Sequence, residues 1–342
     1  MTALPVPSGA DDHERMMTLL TGFWVTQIIC AAATFNVADH LAAGTDTAEA
    51  IAAEECIDPD ATRRLIRACA SLGLVTSTDG VRLSGTSLLS TLLRDDPNSL
   101  RGMVLAQAAP GHWLTWGRFP DAVRSGTGQM EAAHGTPGTI FDYLAAHPDE
   151  ASHFTEAMSN LSAAAAIEIA KVVDTRGVKY ALDVGGANGE VLRAMMRANP
   201  HLRGGVFDLP HIVPDAATAA RKEGLQERLT AVGGDFFESV PPSDLYVLKY
   251  ILHDWDDRNC IRILRNCRAA LQEGGRLVVI DYLVGKFGLP GLPAMMDMNM
   301  LVMNGGRERE IAEFDALFAS TGLRRTTVGQ AGQFAVIEAV AI

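Results

Sequence analysis

The sequence predicts an α/β fold: a mostly parallel sheet covered by helices on both faces, preceded by a mainly helical N-terminal domain. Three observations carry this reading. First, seven apolar, β-rich stretches follow residue 174 (180–184, 205–207, 229–232, 245–249, 276–280, 324–328 and 334–340), with helical patterns between the first five; strands alternating with helices build parallel sheets. Second, only residues 329–333 join the last two stretches, too short a link for a parallel crossover, so the final strand is expected to run antiparallel. Third, residues 45–94 read as helix, helix and hairpin, the cadence of a winged-helix module. A chain of 342 residues accommodates two cores. The expected divisions are a winged-helix-like dimerisation domain over 1–100, a helical linker and pocket roof over 101–173, and the sheet domain over 174–342.

Composition narrows the function. With 41 acidic against 29 basic residues the net charge is -12, which disfavours binding to nucleic acid or to an anionic membrane, since both rely on clustered Lys and Arg. Cys30, Cys56, Cys69, Cys260 and Cys267 are few, odd in number and mostly set in apolar helical patterns, so they read as reduced residues of a cytoplasmic protein. Asp11, Asp12 and Glu14 stand where a secretory signal would need positive charge. The apolar span 16–41 is interrupted by Gln27, Asn36 and Asp39 and lacks flanking Lys or Arg, so no membrane segment is expected. Leu20, Phe23, Trp24, Gln27, Ile28 and Ala31 recur at helical spacing and predict a buried or subunit-facing helix.

Within the N-terminal module, helices are expected over 47–54 and 61–72, the second with Leu65, Ile66 and Cys69 inward and Gly73 as its stop. A hairpin pairs 74–76 with 81–83 across Asp79-Gly80. Such modules often read DNA. Here the second helix offers only Arg63, Arg64 and Arg67 within an acidic protein, and packing and dimerisation are the expectation. From 99 to 173 the chain reads as helical, with Trp113, Trp116 and His112 as candidate pocket residues.

The chemistry gathers at strand ends. Three glycines within five positions follow Asp183 and Val184, so a strand, a tight turn and a helix N-terminus cradle an electron-rich ligand. Ala187 stands where a dinucleotide fingerprint prefers a second glycine; a methyl there crowds a pyrophosphate and leaves room for an amino-acid-bearing nucleoside. Asp208, ending the second sheet strand, suits a ribose diol in either ligand type. Asp235 ends the third strand, where it can accept from an adenine amino group while Phe236 packs on the ring. His253, after the fourth strand, is the side chain suited to accept a proton near neutral pH. Asp256 and Asp257 are expected to serve the N-terminus of the following helix. A metal site from His253, Asp254, Asp256 and Asp257 is disfavoured, because adjacent residues do not converge on one point. Met295, Met296, Met298, Met300 and Met303 suit either core packing or a pocket for a flat aromatic ring.

Leu182-Asp183-Val184-Gly185-Gly186-Ala187-Asn188-Gly189, Phe207-Asp208-Leu209-Pro210, Gly234-Asp235-Phe236-Phe237, Leu252-His253-Asp254-Trp255 and Gly305-Gly306-Arg307-Glu308-Arg309 occur in this order. Together they resemble the small-molecule O-methyltransferases that use S-adenosylmethionine, the group that includes plant caffeate and isoflavone enzymes and bacterial tailoring enzymes of aromatic natural products. The resemblance covers nearly the whole chain. It implies a Rossmann-like class I methyltransferase sheet, a homodimer, a small aromatic substrate, S-adenosylmethionine as cofactor with S-adenosylhomocysteine as product, and no metal. It further implies that Asp183 and Gly185 line the methionine end, Asp208 holds the ribose, and Asp235 and Phe236 the adenine, with Leu209 and Lys249 also against the cofactor. By the same resemblance His253 is the base that takes the acceptor's proton, steadied by Glu308, by Asp281 where the plant enzymes usually carry a longer Glu, or by both.

Methyl transfer from a sulfonium is an in-line displacement, so positioning of the acceptor oxygen is the main demand on the protein. The expected activity is therefore methylation of a phenolic hydroxyl of an aromatic secondary metabolite. Competing readings are the same fold with changed chemistry (N- or carboxyl-methylation, decarboxylation or hydroxylation), a ligand-sensing DNA-binding regulator, and a nicotinamide dehydrogenase, against which Ala187 and His253-Asp254-Trp255 speak.

Overall fold

The structure, a computed structural model, describes residues 11–96, 98–285, 287–288 and 291–342. The chain divides into two compact units, one running to Leu114 and including Phe141–Asn160, the other comprising Thr115–Ile140 and Leu161–Ile342.

In the first unit, helices α1 (Asp12–Leu20) and α2 (Gly22–Thr34) are separated at Thr21, whose hydroxyl donates back to the Met17 carbonyl. Within the 23-residue span Asp12–Thr34, an 18-residue window has a mean hydropathy of 1.6, enough by length and composition to cross a membrane, and 11% of that window is buried. The apolar stripe read from the sequence divides: Leu20, Phe23 and Trp24, with Met16 and Leu19 beside them, are exposed, while Gln27, Ile28 and Ala31 are half-buried and Ile28 packs on the core of this unit. Helices α3 (Val37–Ala43), α4 (Ala48–Glu55) and α5 (Pro59–Ser71) follow. Thr47 and Asp58 cap α4 and α5 by accepting from the N–H groups of Ala50 and Ala61, and Pro59 takes the first helical position, where a missing N–H costs nothing. Ile51, Ile66, Cys69, Leu74 and Leu89 close the core of this unit.

The hairpin is present but shifted. Strands β1 (Val75–Ser77) and β2 (Leu83–Gly85) pair antiparallel one or two residues beyond the expected stretches. The cause is Asp79, whose carboxylate accepts from the N–H groups of Val81 and Arg82 and holds both residues in the turn. On α5, Arg63 is engaged by Glu49 and Asp60.

The second unit carries strands β3 (Tyr180–Val184), β4 (Arg203–Asp208), β5 (Leu229–Gly233), β6 (Ser243–Lys249), β7 (Leu271–Asp281), β8 (Leu323–Ala331) and β9 (Phe334–Ala341). They form one sheet in the order β5-β4-β3-β6-β7-β9-β8. The first five are parallel, and β9 runs antiparallel between β7 and β8. Alternate residues serve opposite faces, as the pleat demands. Ala181, Leu245, Val247, Val278 and Ile280 join one core with the helix Glu190–Ala198, while Leu182, Tyr246, Leu248, Leu277 and Val279 join another with Cys260, Leu264, Phe314 and Phe318. At about 1.5–3 kcal/mol for each large aliphatic side chain fully buried, these two layers supply the rigidity on which the strand ends rest.

Candidate active site

The carboxyl ends of β3, β4, β5 and β6 open where the sheet order reverses, the place where parallel sheets bind ligands. Asp183 is buried near the end of β3. The turn after it needs a left-handed backbone at Gly185 (φ +69°), where an added Cβ would lie 2.3 Å from Ile251 Cδ1. Ala187 also takes a positive φ, 48°, an uncommon conformation for a non-glycine residue. Its N–H donates 2.8 Å to one oxygen of Asp208, and the Leu209 N–H donates 2.7 Å to the other. Asp208 thus ties the end of β4 to the glycine turn, and each of its oxygens keeps a further lone pair for a ligand hydroxyl. Leu209 is exposed at 41%. Asp235, at the end of β5, is exposed and accepts from the Phe237 N–H, so it has a local capping role as well as a free face. Phe236 and Phe237 stand edge-on to Trp255.

Burial pushes the Asp183 carboxyl up to about 7 against the opposing pull of Lys249, and Asp208 adds to the rise. Burial likewise pushes Lys249 down to about 8, resisted by Asp183 and Asp281. The Lys249 ammonium donates 2.9 Å to the Ser162 hydroxyl and lies 4.1 Å from the centre of the Tyr250 ring. Carboxylates at successive strand ends, a turn without a basic side chain and an aromatic group at the third position form a donor set that fits an adenosyl ligand carrying a sulfonium better than a pyrophosphate.

Beyond β6 the chain turns at Tyr250, again with positive φ (57°), into a single 3-10 turn, Leu252–Asp254. His253 is 6% exposed and lies parallel to the Tyr250 ring, centroids 4.8 Å apart. Its Nδ1 is 2.7 Å from Glu308 Oε1. The nearest carboxylate to Nε2 is Asp254, 3.8 Å away and beyond hydrogen-bond range. Of the two partners left open by the sequence, Glu308 makes the hydrogen bond. Asp281 instead accepts from the Tyr250 backbone N–H at 3.1 Å, because its shorter side chain meets the main chain entering the turn. It still acts on His253 through its charge. Burial pulls the imidazole down, but the charge of Asp254, the Glu308 hydrogen bond and the charge of Asp281 outweigh it, leaving His253 raised to about 9. Burial pushes Asp281 up to about 7, opposed by His253 and reinforced by Glu308 and Asp254.

Asp254, Asp256 and Asp257 diverge. Asp254 accepts from Asn304, Asp256 caps the helix Asp257–Ala270 by accepting from Asn259, and Asp257 pairs with Arg309 instead of serving the helix N-terminus alone. Among the described residues no group of three or more His, Cys, Asp or Glu is placed to hold a metal ion. The methionine stripe on the helix Leu292–Asn304 divides: Met300 and Met303 are buried, Met295 is exposed, and Asn299 accepts from the Trp116 indole at 2.8 Å. Sequence reasoning missed Tyr250, Asn304, Asp297, which accepts from the Glu308 N–H, and Arg309. Arg309 lay inside a quoted motif and Tyr250 two residues before another, but no spacing rule singles them out.

The chain matches the model of the O-methyltransferase domain over residues 116–324 and that of the O-methyltransferase dimerisation domain over 17–95. It is 33% identical over 308 residues to the phenazine O-methyltransferase PhzM of Lysobacter antibioticus, covering 90% of this chain and 89% of that protein. It is also 33% identical over 318 residues to the 3-amino-4-hydroxybenzoate 4-O-methyltransferase of Streptomyces cremeus, covering 92% and 86%. The crystal structure of human N-acetylserotonin methyltransferase in complex with S-adenosylmethionine superimposes with a TM-score of 0.88 at 28% identity, covering 98% of this chain and 99% of that one. A sheet reversing at a glycine turn, carboxylates at its strand ends and a dimerisation domain before it agree with these matches: the chain belongs to the O-methyltransferase family.

Proposed function

We propose that this protein transfers a methyl group from S-adenosylmethionine to a phenolic hydroxyl of an aromatic secondary metabolite, with His253 as general base. The observation that carries the proposal is the buried His253–Glu308 pair at 2.7 Å. An imidazole donating through Nδ1 to a carboxylate is the tautomer that leaves the Nε2 lone pair free to accept a proton. The raised His253 makes it a strong enough base to compete for a phenolic proton.

When bound, S-adenosylmethionine supplies an electrophilic methyl on a sulfonium and leaves as S-adenosylhomocysteine. Asp208 and Leu209 would hold the ribose, Asp235 and Phe236 the adenine, and Asp183, Gly185 and Lys249 the methionine end. His253 takes the hydroxyl proton on Nε2 as the acceptor oxygen forms its bond to carbon, so the positive charge passes to an imidazolium. Glu308, Asp254 and Asp281 stabilise that charge. The exposed apolar face of α1 and α2 would pair with the same face of a second copy, giving a homodimer. The five cysteines, free of disulfides, suit a reducing cytoplasm.

The test is His253→Ala with labelled donor and a panel of phenols. Turnover should fall about 100-fold or more, while donor affinity measured by calorimetry stays within about threefold. Full turnover by the variant from pH 6 to about pH 9 would sink the base assignment and leave positioning alone.

A further inference from the structure

We propose that Arg309 is a positioning residue for the reaction, a clamp that holds the turn carrying His253 at the distance and orientation Glu308 requires. The inference rests on the reading of His253 as the base. Arg309 is 1% exposed, and all five of its N–H donors have acceptors in reach. Nε donates to Asp257 Oδ1 at 3.1 Å, and Nη2 to that same oxygen at 2.7 Å and to the Trp255 carbonyl at 2.9 Å. Nη1 donates to the Leu252 carbonyl at 2.8 Å, with the Arg307 carbonyl at 3.4 Å. The Cys260 thiol also contacts the Leu252 and Trp255 carbonyls, so these two acceptors are shared.

The geometry of these bonds is what matters. Leu252 and Trp255 flank His253 and Asp254, so one planar guanidinium spans the catalytic turn from both sides. A guanidinium is a rigid fork whose donors keep a fixed separation; an ammonium on a flexible stem cannot bridge the same three acceptors with the same constraint. The residue before it in sequence is Glu308. One short segment therefore supplies both the carboxylate that meets Nδ1 and the clamp that sets where Nδ1 lies.

Two further contacts fix the register between the segments. The Arg307 N–H donates 2.9 Å to the His253 carbonyl, and at Gly306 an added Cβ would come within 2.1 Å of that carbonyl oxygen. The Arg309 carbonyl in turn accepts from the Val284 N–H at 3.1 Å, anchoring the clamp beside the end of β7. The turn is thus held by backbone contacts on one side and by Arg309 on the other.

Arg309→Lys tests this, because it keeps the charge and removes the fork. In the full-length protein, the Nδ1 proton of His253 should be observable by NMR in the wild type, assigned by its loss in His253→Ala. In Arg309→Lys that signal should broaden or vanish and the imidazole titration midpoint should move down by about one pH unit. The turnover number should fall about 10- to 100-fold, as expected of a base displaced by a fraction of an ångström to an ångström, with donor affinity held within about threefold. An unchanged Nδ1 signal and titration midpoint would overturn the proposal whatever the rate. Parallel loss of turnover, donor affinity and melting temperature would also overturn it, by showing a general structural role. If Arg309→Lys does not fold, Asp257→Asn carries the test: it removes the carboxylate that locks the guanidinium plane, and an unaltered imidazole spectrum there refutes the clamp. The imidazole spectrum reads Arg309 directly, so failure of the base reading, seen as activity in His253→Ala, stays distinguishable from failure of the clamp.

Discussion

Glu308→Gln separates the charge of the orienting carboxylate from its hydrogen bond. Gln retains an oxygen able to accept from Nδ1, so the imidazole should stay oriented while losing a full negative charge 2.7 Å from its ring nitrogen. Two unit charges about 4 Å apart in a medium of effective dielectric about 20 interact by about 4 kcal/mol, or about three pKa units. That bound would take His253 from about 9 to near or below the ordinary value of 6.5. A base must be unprotonated to act, so the rate climbs with pH through its midpoint. In the unaltered protein about one imidazole in a hundred is neutral at pH 7, two units below the midpoint. The variant gains neutral fraction at pH 7 but is a weaker base. Its plateau rate should fall about 10- to 100-fold, its rising limb should move two to three units (roughly) toward acid, and the two rate profiles should cross between about pH 7 and 8, with the variant the faster below the crossing. Initial rates of methyl transfer to one phenol between about pH 5.5 and 10, with both substrates saturating, measure this. There is a matching stability signature. A raised histidine contributes stability that is complete below its unfolded midpoint of about 6.5 and lost as pH climbs through about 9, so the melting temperature should fall across that window, less steeply in the variant. A rising limb that does not move, together with equal melting slopes, would refute the electrostatic account of His253.

Asp208→Ala removes the carboxylate that accepts from Ala187 and Leu209 and leaves both N–H groups without that partner; donor affinity by calorimetry should fall about 30- to 100-fold, the loss of charged hydrogen bonds at about 1.5–3 kcal/mol, and an affinity within threefold of the parent (about 0.6 kcal/mol) would remove Asp208 from the donor site. Gly306→Ala places a methyl against the His253 carbonyl, which is backbone and cannot swing away; about 1–3 kcal/mol of destabilisation should accompany loss of turnover, read by denaturant melts and initial rates, and a variant of unaltered stability would contradict the close approach.

The sheet was legible because its strands are apolar runs bounded by Gly, Asp and Pro; all seven expected stretches lie within observed strands. What sequence period could not show is that β7 begins at Leu271, since Gln272, Glu273, Gly274 and Gly275 carry no strand signature and enter the sheet only through pairing of Leu271 with Ser243. The short link between the last two strands required antiparallel pairing but did not disclose that β9 lies inside β8. Strand-end carboxylates were legible because the parallel topology sends every carboxyl end to one edge. The partner of His253 was not, because a residue 55 positions away is chosen by packing, and Asp281 and Glu308 both lay within plausible reach. The hairpin shift has a similar origin: Asp79 draws two backbone donors that a strand pattern assigns to the ladder.

A base of raised pKa buried in protein requires negative charge that is deliberately left under-neutralised, and the site shows how this chain arranges it. Asp281 Oδ2 and Glu308 Oε2 are buried without hydrogen-bond partners among the described residues, which is unfavourable for folding by about 1–3 kcal/mol each. Of the two cations flanking Glu308 in sequence, Arg307 pairs with Glu313, and Arg309 is the other that could have satisfied Glu308. Successive residues of an extended segment project to opposite sides, and the Leu283–Arg309 bridge keeps this segment extended. The guanidinium consequently reaches the Leu252 and Trp255 carbonyls and Asp257, and the Glu308 carboxylate is left to His253. Had Arg309 paired with Glu308, the orphaned oxygen would have been satisfied and the charge that raises the imidazole would have been cancelled. The instability at these oxygens is the physical condition for a basic histidine, and the two buried layers of the sheet are what make it tolerable.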